Sequence, residues 1–318
     1  MSFPVRALLF LAWTSLIITV VTVLSGDIVQ ATESGAGCGD NWPRCDGSLL
    51  PGMEDAATAI EFTHRMLTVL LTCVICALIV GAFRVFPKGH RVRASAVWVG
   101  ATLVLEVAIG AALVLFGWVG EDASIGRVIA DALHVINTFF LIGAGVLVVY
   151  FVLGGNVSRP AWSRRPDREL FIVAVVILLI SVSGAINSLA DALFPLDSVL
   201  GELSEEFGST VPFLVRMRIA HPAIAIVGGV AIFLLVRNIS MTIPLIARAG
   251  TVVLLTIVFQ FVSGILNIAF LTPLETQVVH LLLADVLWMS FLYLAFRCLD
   301  PGAMDPLPGR GCFSEAAT

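Results

Sequence analysis

Glu61, His64 and Arg65 set a carboxylate, an imidazole and a guanidinium close together near one end of a segment that is otherwise apolar. Ionisable side chains are costly in a membrane and mark function when they are found there. Glu61 and His64 are three apart, so a helix carries them on one face. A heme iron or another metal could take His64, and Glu61 would then stand beside whatever is bound. The plain alternative is a helix end whose polar groups reach interfacial water. The rest of the chain decides between the two.

Three further histidines sit in similar places: Asp131-Ala132-Leu133-His134, Arg218-Ile219-Ala220-His221-Pro222 and Gln277-Val278-Val279-His280. The segments that carry them are membrane spans. The chain has 318 residues, of which 58% are hydrophobic and 13% charged, with a mean hydropathy of +1.01. A soluble domain carries roughly 25% charged residues, so this is an integral membrane protein. Nucleic acid is excluded as a partner by the net charge of −5 and by the scatter of Lys and Arg over short loops.

Apolar runs long enough to span, at about 20 residues each, occur eight times. They cover Arg6–Gly26, Thr58–Phe83, Ala94–Trp118, Val128–Leu153, Glu169–Ala190, Pro212–Val236, Ala249–Leu271 and Thr276–Arg297. The first run exceeds the roughly 7–15 residues of a signal-peptide core and is kept as a span. With the N-terminus inside, 13 of the 18 Lys and Arg fall on the cytoplasmic side, which predicts both termini cytoplasmic. The outer loops are acidic instead, with Asp27, Glu33, Asp40, Asp46, Glu54 and Asp55 in the first and Asp191, Asp197, Glu202, Glu205 and Glu206 in the third.

The first outer loop holds Cys38 and Cys45, seven apart with Gly, Asp, Asn and Pro between them. A turn closed by a disulfide suits that spacing on an oxidising face, against two free thiols or a metal pair. Cys73-Val74-Ile75-Cys76 lies within a span with no second ligand pair and reads as small residues buried at a helix contact. His90 reads as a solvated loop residue and Asp285 as a satisfied buried carboxyl; neither is assigned a role. Cys298 and Cys312 read as free thiols on the reducing side.

Setting spans one to four over spans five to eight shows an internal repeat. Ser25-Gly26 matches Ser183-Gly184, His64 matches His221, Glu106-x-x-x-Gly110 matches Gln260-x-x-x-Gly264, and His134 matches His280. The offset drifts from 158 to 146 along the chain, as loop-length changes between two copies would produce. A four-helix unit is duplicated in parallel orientation. The expected architecture is an all-α integral membrane protein of eight transmembrane helices in two four-helix bundles: residues 1–155, residues 156–300, and a cytoplasmic tail, 301–318, expected to be disordered.

Four histidines at matching depth, about 10 Å from the outer end at 1.5 Å per residue, pair as His64 with His134 and His221 with His280. Two histidines on facing helices form an axial pair for heme iron. Copper or zinc would want a further nearby ligand. The halves differ at the third residue before the first histidine, Glu61 in one and Arg218 in the other. A carboxylate beside an iron site can act in acid–base chemistry or stabilise a cation, whereas a guanidinium suits a heme propionate. That predicts a reactive N-terminal half and a C-terminal half holding a permanent electron-transfer heme. Asp131 and Gln277 read as polar helix starts.

The sequence resembles the heme A synthase family over nearly its whole length, from Gly26 to the eighth span. The resemblance is carried by Ser34-Gly35 through Cys38 and Trp42-Pro43 to Cys45, by Glu61-x-x-His64-Arg65, by His134, by His221-Pro222 and by His280. It implies an eight-helix membrane enzyme with a pseudo-two-fold duplicated bundle that oxidises the C8 methyl of heme O to the formyl group of heme A, for cytochrome oxidase. It implies that His221 and His280 bind heme b, that His64 and His134 bind the substrate heme, that Glu61 is the catalytic carboxylate and that Cys38 and Cys45 form a disulfide. Arg65 and Arg218 are candidate propionate partners. The family often has Arg where this chain has Gln30, so no propionate contact carries over there. The partners implied are the heme O substrate, heme O synthase, an electron acceptor and the lipid bilayer of the cell membrane, with the heme sites toward the outer face; a homo-oligomer is allowed. A di-heme b-type electron-transfer protein is the alternative, disfavoured because all four histidines lie on one side of the bilayer. A transporter would want broken helices near the midplane.

Overall fold

The computed structural model describes residues 1–195 and 213–302. Pro212, Asp197, Glu202, Glu205, Glu206, Arg310, Cys312 and the tail from 303 lie outside the described residues. Eight helices among them are long and apolar enough to cross a membrane: α1 (Phe3–Ala31), α2 (Ala56–Val85), α3 (Arg91–Leu115), α4 (Ile125–Val152), α5 (Arg165–Leu193), α6 (Phe213–Thr242), α7 (Ala247–Ala269) and α8 (Leu274–Leu299). The protein is a multi-pass, all-α membrane protein. In hydrocarbon every backbone polar group must bond internally, which leaves the helix as the structure these runs can adopt.

Local chemistry sets the helix starts. The Asp55 carboxylate accepts the Thr58 N–H at 2.9 Å and opens α2. That bond, with the Thr58 hydroxyl, holds the Asp55 carboxyl below the usual carboxylate range. Ser124 accepts the Arg127 N–H to open α4. His90 Nδ1 accepts the Val92 N–H at 3.2 Å and its ring stacks on Phe86, so His90 caps α3 rather than standing free in a loop. Several helices outrun the apolar runs. Asp27 and Gln30, expected in the first outer loop, lie in the last turns of α1, and Asp191, expected in the third, lies in α5. The polar residues there face other helices, so the helix does not end where the hydrocarbon-compatible sequence does.

The closest-packed pairs are the hairpins α1/α2, α3/α4, α5/α6 and α7/α8. Helices α1, α4, α5 and α8 form the centre, each touching the other three, while α2, α3, α6 and α7 stand outside. One core is made by α1–α4, around Leu8, Leu71, Ile75, Leu78 and Val99. The other is made by α5–α8, around Val173, Ile177, Ile232, Ile257 and Phe291, and is joined by Leu16 of α1 and Ile142 of α4. Lipid is as apolar as leucine, so these contacts rest on close packing rather than on expulsion of water. Trp288 Nε1 donates to the Phe139 carbonyl at 2.7 Å and ties α8 to α4.

Cys73 and Cys76 are exposed. They occupy the outward face of α2, opposite Leu71, Ile75 and Leu78, and not the helix contact expected of them. Cys298 is buried and free.

Candidate functional site

Each of the four hairpins presses an imidazole against a glycine of the neighbouring helix. A Cβ on Gly26 would lie 3.2 Å from His64 Cε1, on Gly184 3.0 Å from His221 Cε1, on Gly264 3.1 Å from His280 Cε1, and on Gly110 3.7 Å from His134 Cε1. The glycines seen in the sequence repeat are thus the floor under each ring. Three of the rings are also anchored. His64 Nδ1 is 2.8 Å from Ser25 Oγ, His221 Nδ1 3.0 Å from Ser183 Oγ, and His280 Nδ1 2.8 Å from Ser263 Oγ. Each serine hydroxyl donates its proton to a carbonyl one turn back on its own helix, Thr22, Ile180 and Gln260 respectively. The oxygen is then left to accept from Nδ1–H, and the lone pair of the neutral ring stays on Nε2. Gln260 Nε2 lies 3.2 Å from His280 Nε2, an amide donor on that lone pair.

His64 and His134 lie close enough to interact electrostatically, and so do His221 and His280. His134 is the exception in its surroundings. Its Nδ1 is buried with no hydrogen-bond partner, and Ile109 stands where the other hairpins have serine. Its Nε2 lies 3.7 Å from Glu106 Oε1, and Glu106 also accepts from Asn137 Nδ2 at 2.5 Å and from the Thr138 hydroxyl.

Glu61 is 3% exposed. One oxygen accepts the Cys38 N–H at 2.7 Å and the other pairs with Arg65. Arg65 also donates to the carbonyls of Asn41 at 2.8 Å and Arg44 at 2.9 Å. Cys38 and Cys45 are joined in a disulfide, both buried beside Phe62. The loop between α1 and α2 is thereby folded onto the Glu61 carboxylate. Gly37 allows it: a Cβ there would fall 2.4 Å from the Ala57 carbonyl carbon. The Thr58 hydroxyl closes the contact by donating to Gly37 O at 2.6 Å.

The corresponding corner of the second half is built differently. Arg218 pairs with Asp191 of α5 at 2.9 Å and donates to the carbonyls of Ala190 at 3.0 Å and Phe194. Both candidate propionate guanidiniums therefore have partners on the rim of their sites. Gln277 lies in the first turn of α8 and donates to Thr272 O at 2.5 Å, as a polar helix start does. Asp131 does not fit that reading: α4 already begins at Ile125, and Asp131 lies inside the helix, buried, with Arg127 at 3.8 Å. Gln30 donates to Ser188 at 3.3 Å, between α1 and α5. Asp285 is fully buried with neither oxygen hydrogen-bonded, so it is not the satisfied carboxyl expected. The serines and Glu106 are site residues that sequence reasoning misses. Their signal is present in the chain, in the Ser-Gly pairs at Ser25, Ser183 and Ser263 and in the match of Glu106 to Gln260.

The donor set suits heme. Among the described residues no group of three or more His, Cys, Asp or Glu could hold a metal ion. A porphyrin supplies its equatorial nitrogens itself and asks the protein for axial ligands alone, which a pair of imidazoles could offer. The glycines keep those rings close to the neighbouring helices.

The model of the family described as COX15-CtaA, cytochrome oxidase assembly protein, matches residues 9–292. The chain is 37% identical over 303 residues to a protoheme IX farnesyltransferase of Thermus thermophilus, covering 94% of this chain and 50% of that protein. It is 27% identical over 301 residues to a heme A synthase of Staphylococcus carnosus, covering 89% of this chain and 92% of that protein. A heme A synthase of Alkalihalophilus pseudofirmus is 25% identical over 295 residues, covering 88% and 94%. The chain spans about half the length of the Thermus relatives it matches.

Proposed function

The chain belongs to the COX15-CtaA family of cytochrome oxidase assembly proteins, and on that premise we propose that it is a heme A synthase. It oxidises the C8 methyl of heme O to a formyl group by successive hydroxylation, losing water from the gem-diol, to give heme A for cytochrome oxidase. His64 and His134 hold the substrate heme, and His221 and His280 hold heme b. Heme b, when bound there, supplies a one-electron carrier between the substrate half and an external acceptor.

The observation that carries this reading is the inequality of the two halves. Both have a histidine pair on glycine floors, but the first places a buried carboxylate, Glu61, where the second places Arg218. Both Glu61 oxygens already accept hydrogen bonds, from Cys38 N–H and from Arg65. The group is therefore held in one orientation as an acceptor. An acceptor so fixed stabilises positive charge developing at a neighbouring methyl carbon, or takes the proton of the hydroxyl formed there, without reorganising. The Cys38–Cys45 loop covers it and keeps water from competing. Arg65 and Arg218 stand at the rims as partners for propionates, each by exchanging a bond it makes here.

The relatives support the same assignment. Two of those named above are heme A synthases. The Thermus protein, named for protoheme farnesylation, holds a region similar to this chain within half of its length. That supports delivery of the farnesylated substrate by a heme O synthase close at hand. Residues 1–155 are then the substrate half and 156–300 the heme b half, with both termini cytoplasmic and both sites toward the outer face of the cell membrane.

The test is the identity of the hemes in the full chain, co-expressed with a heme O synthase, by acid-acetone extraction and mass-resolved chromatography. Heme b together with heme O, heme A or a hydroxylated intermediate is the expected result. Heme b alone would favour a di-heme electron-transfer protein, and no heme at all would end the assignment of the four histidines.

A further inference from the structure

Three of the four histidines are anchored at Nδ1 by a serine that is itself tied to its own helix, and the fourth is not. His134 has Ile109 in that place, an unpartnered buried Nδ1, and Glu106 beside its Nε2. An axial histidine depends on the bond at its far nitrogen for its tautomer, its ring orientation and its basicity. We propose that His134 is the exchangeable ligand of the substrate heme, the one that lets go for heme to enter and leave, while His64 holds on. This rests on the N-terminal half being the substrate site.

The geometry agrees at two further points. Glu106 gives the released ring a place to rest, because its carboxylate is held by Asn137 and Thr138 and faces His134 Nε2. An open apolar cleft of about 390 Å³ between α3 and α4 is lined by Ala108, Ile109, Ala112, Ile129, Ala130 and Leu133. Ile109, which holds the position of the anchoring serine in the other hairpins, is part of the cleft wall, so a ring that swings clear has an apolar side next to it. A heme with an isoprenoid chain can approach from that side without crossing the polar rim. The second half needs no such device: His221 and His280 are both anchored, as befits a heme that stays. A substrate must be held well enough to react and loosely enough to go, and one anchored ligand with one free ligand meets both needs.

The experiment uses the full chain loaded with heme O in the cell, purified and mixed with excess apomyoglobin as heme scavenger. Loss of farnesylated heme is followed by extraction and chromatography, with heme b as the internal reference. Ile109→Ser supplies the missing anchor and should slow that loss by roughly tenfold, the lower end of what supporting hydrogen bonds contribute at metal sites. It should also lower the high-spin fraction of the ferric spectrum. Ile109→Ala, which changes bulk without adding a hydroxyl, should release as the parent does. Ser25→Ala removes the anchor of His64 and should speed release by a similar factor. If Ile109→Ser and Ser25→Ala both release at the parental rate, or if Ile109→Ala slows release as much as Ile109→Ser, the inference is overturned. If the parent carries heme b and no farnesylated heme, the proposed function falls, and this inference with it.

Discussion

The two halves share a scaffold and differ in the charge they place around it. In each, two hairpins seat a histidine on a glycine, and the paired histidines come within electrostatic reach of one another. Around the first pair stand carboxylates, Glu61 on α2 and Glu106 on α3. At the matching positions around the second stand Arg218 and Gln260. The first half also carries a disulfide-closed loop folded onto its carboxylate and leaves one histidine unanchored. The second half anchors both. Two similar histidine-bearing corners are thus given different surroundings by a few polar substitutions, while the histidines and the glycines beneath them are kept.

The strongest way to break that comparison is to remove a ligand. His221→Ala should abolish the b-type absorbance of the purified protein. If that spectrum survives and is lost in His64→Ala instead, the roles of the halves are reversed. Glu61→Ala should leave both hemes bound and lower heme A formation by about 10²–10⁴-fold, the range that a positioned acid–base group contributes. Full activity in that variant would remove Glu61 from the chemistry and with it the main distinction between the halves.

Weaker changes sharpen the same contrast. Replacing Cys38 and Cys45 by Ser should lower stability by about 2–3 kcal/mol from loop entropy, read as a shift in thermal unfolding. Because Cys38 N–H is a partner of Glu61, activity should fall too, by less than in Glu61→Ala. Glu106→Gln gives the first half the amide of the second. Loss of a negative charge beside the iron disfavours the ferric form, so the potential of the substrate heme should rise, measured by redox titration with heme b unchanged. An unaltered potential would mean that the Glu106 carboxylate does not act on that site.

Much of this is legible in the chain because membranes impose simple rules. Apolar runs of sufficient length have to be helices, and all eight are present. Ionisable groups inside them are costly enough to single out the histidines, and the two of each half lie within electrostatic reach of one another. The Cys38–Cys45 bridge is legible from spacing and turn residues. What fails does so for identifiable reasons. Cys73 and Cys76 read as a helix contact, but α2 is an outer helix, and composition does not say which face of an apolar helix meets lipid. Asp27, Gln30 and Asp191 read as loop residues because polarity suggests a helix end, whereas they face other helices. Asp285 reads as a carboxyl with partners, and burial without them cannot be seen in one dimension.

Residue types and their spacing determined that this chain is an eight-helix membrane protein with four histidines in its spans, since hydropathy and spacing are properties of the chain itself. Which nitrogen of each ring is free, which carboxylate is held and by what, and which histidine lacks an anchor were decided by tertiary structure. Those depend on the rotation of one helix against the next, where an offset of a single residue turns a serine toward an imidazole or away from it.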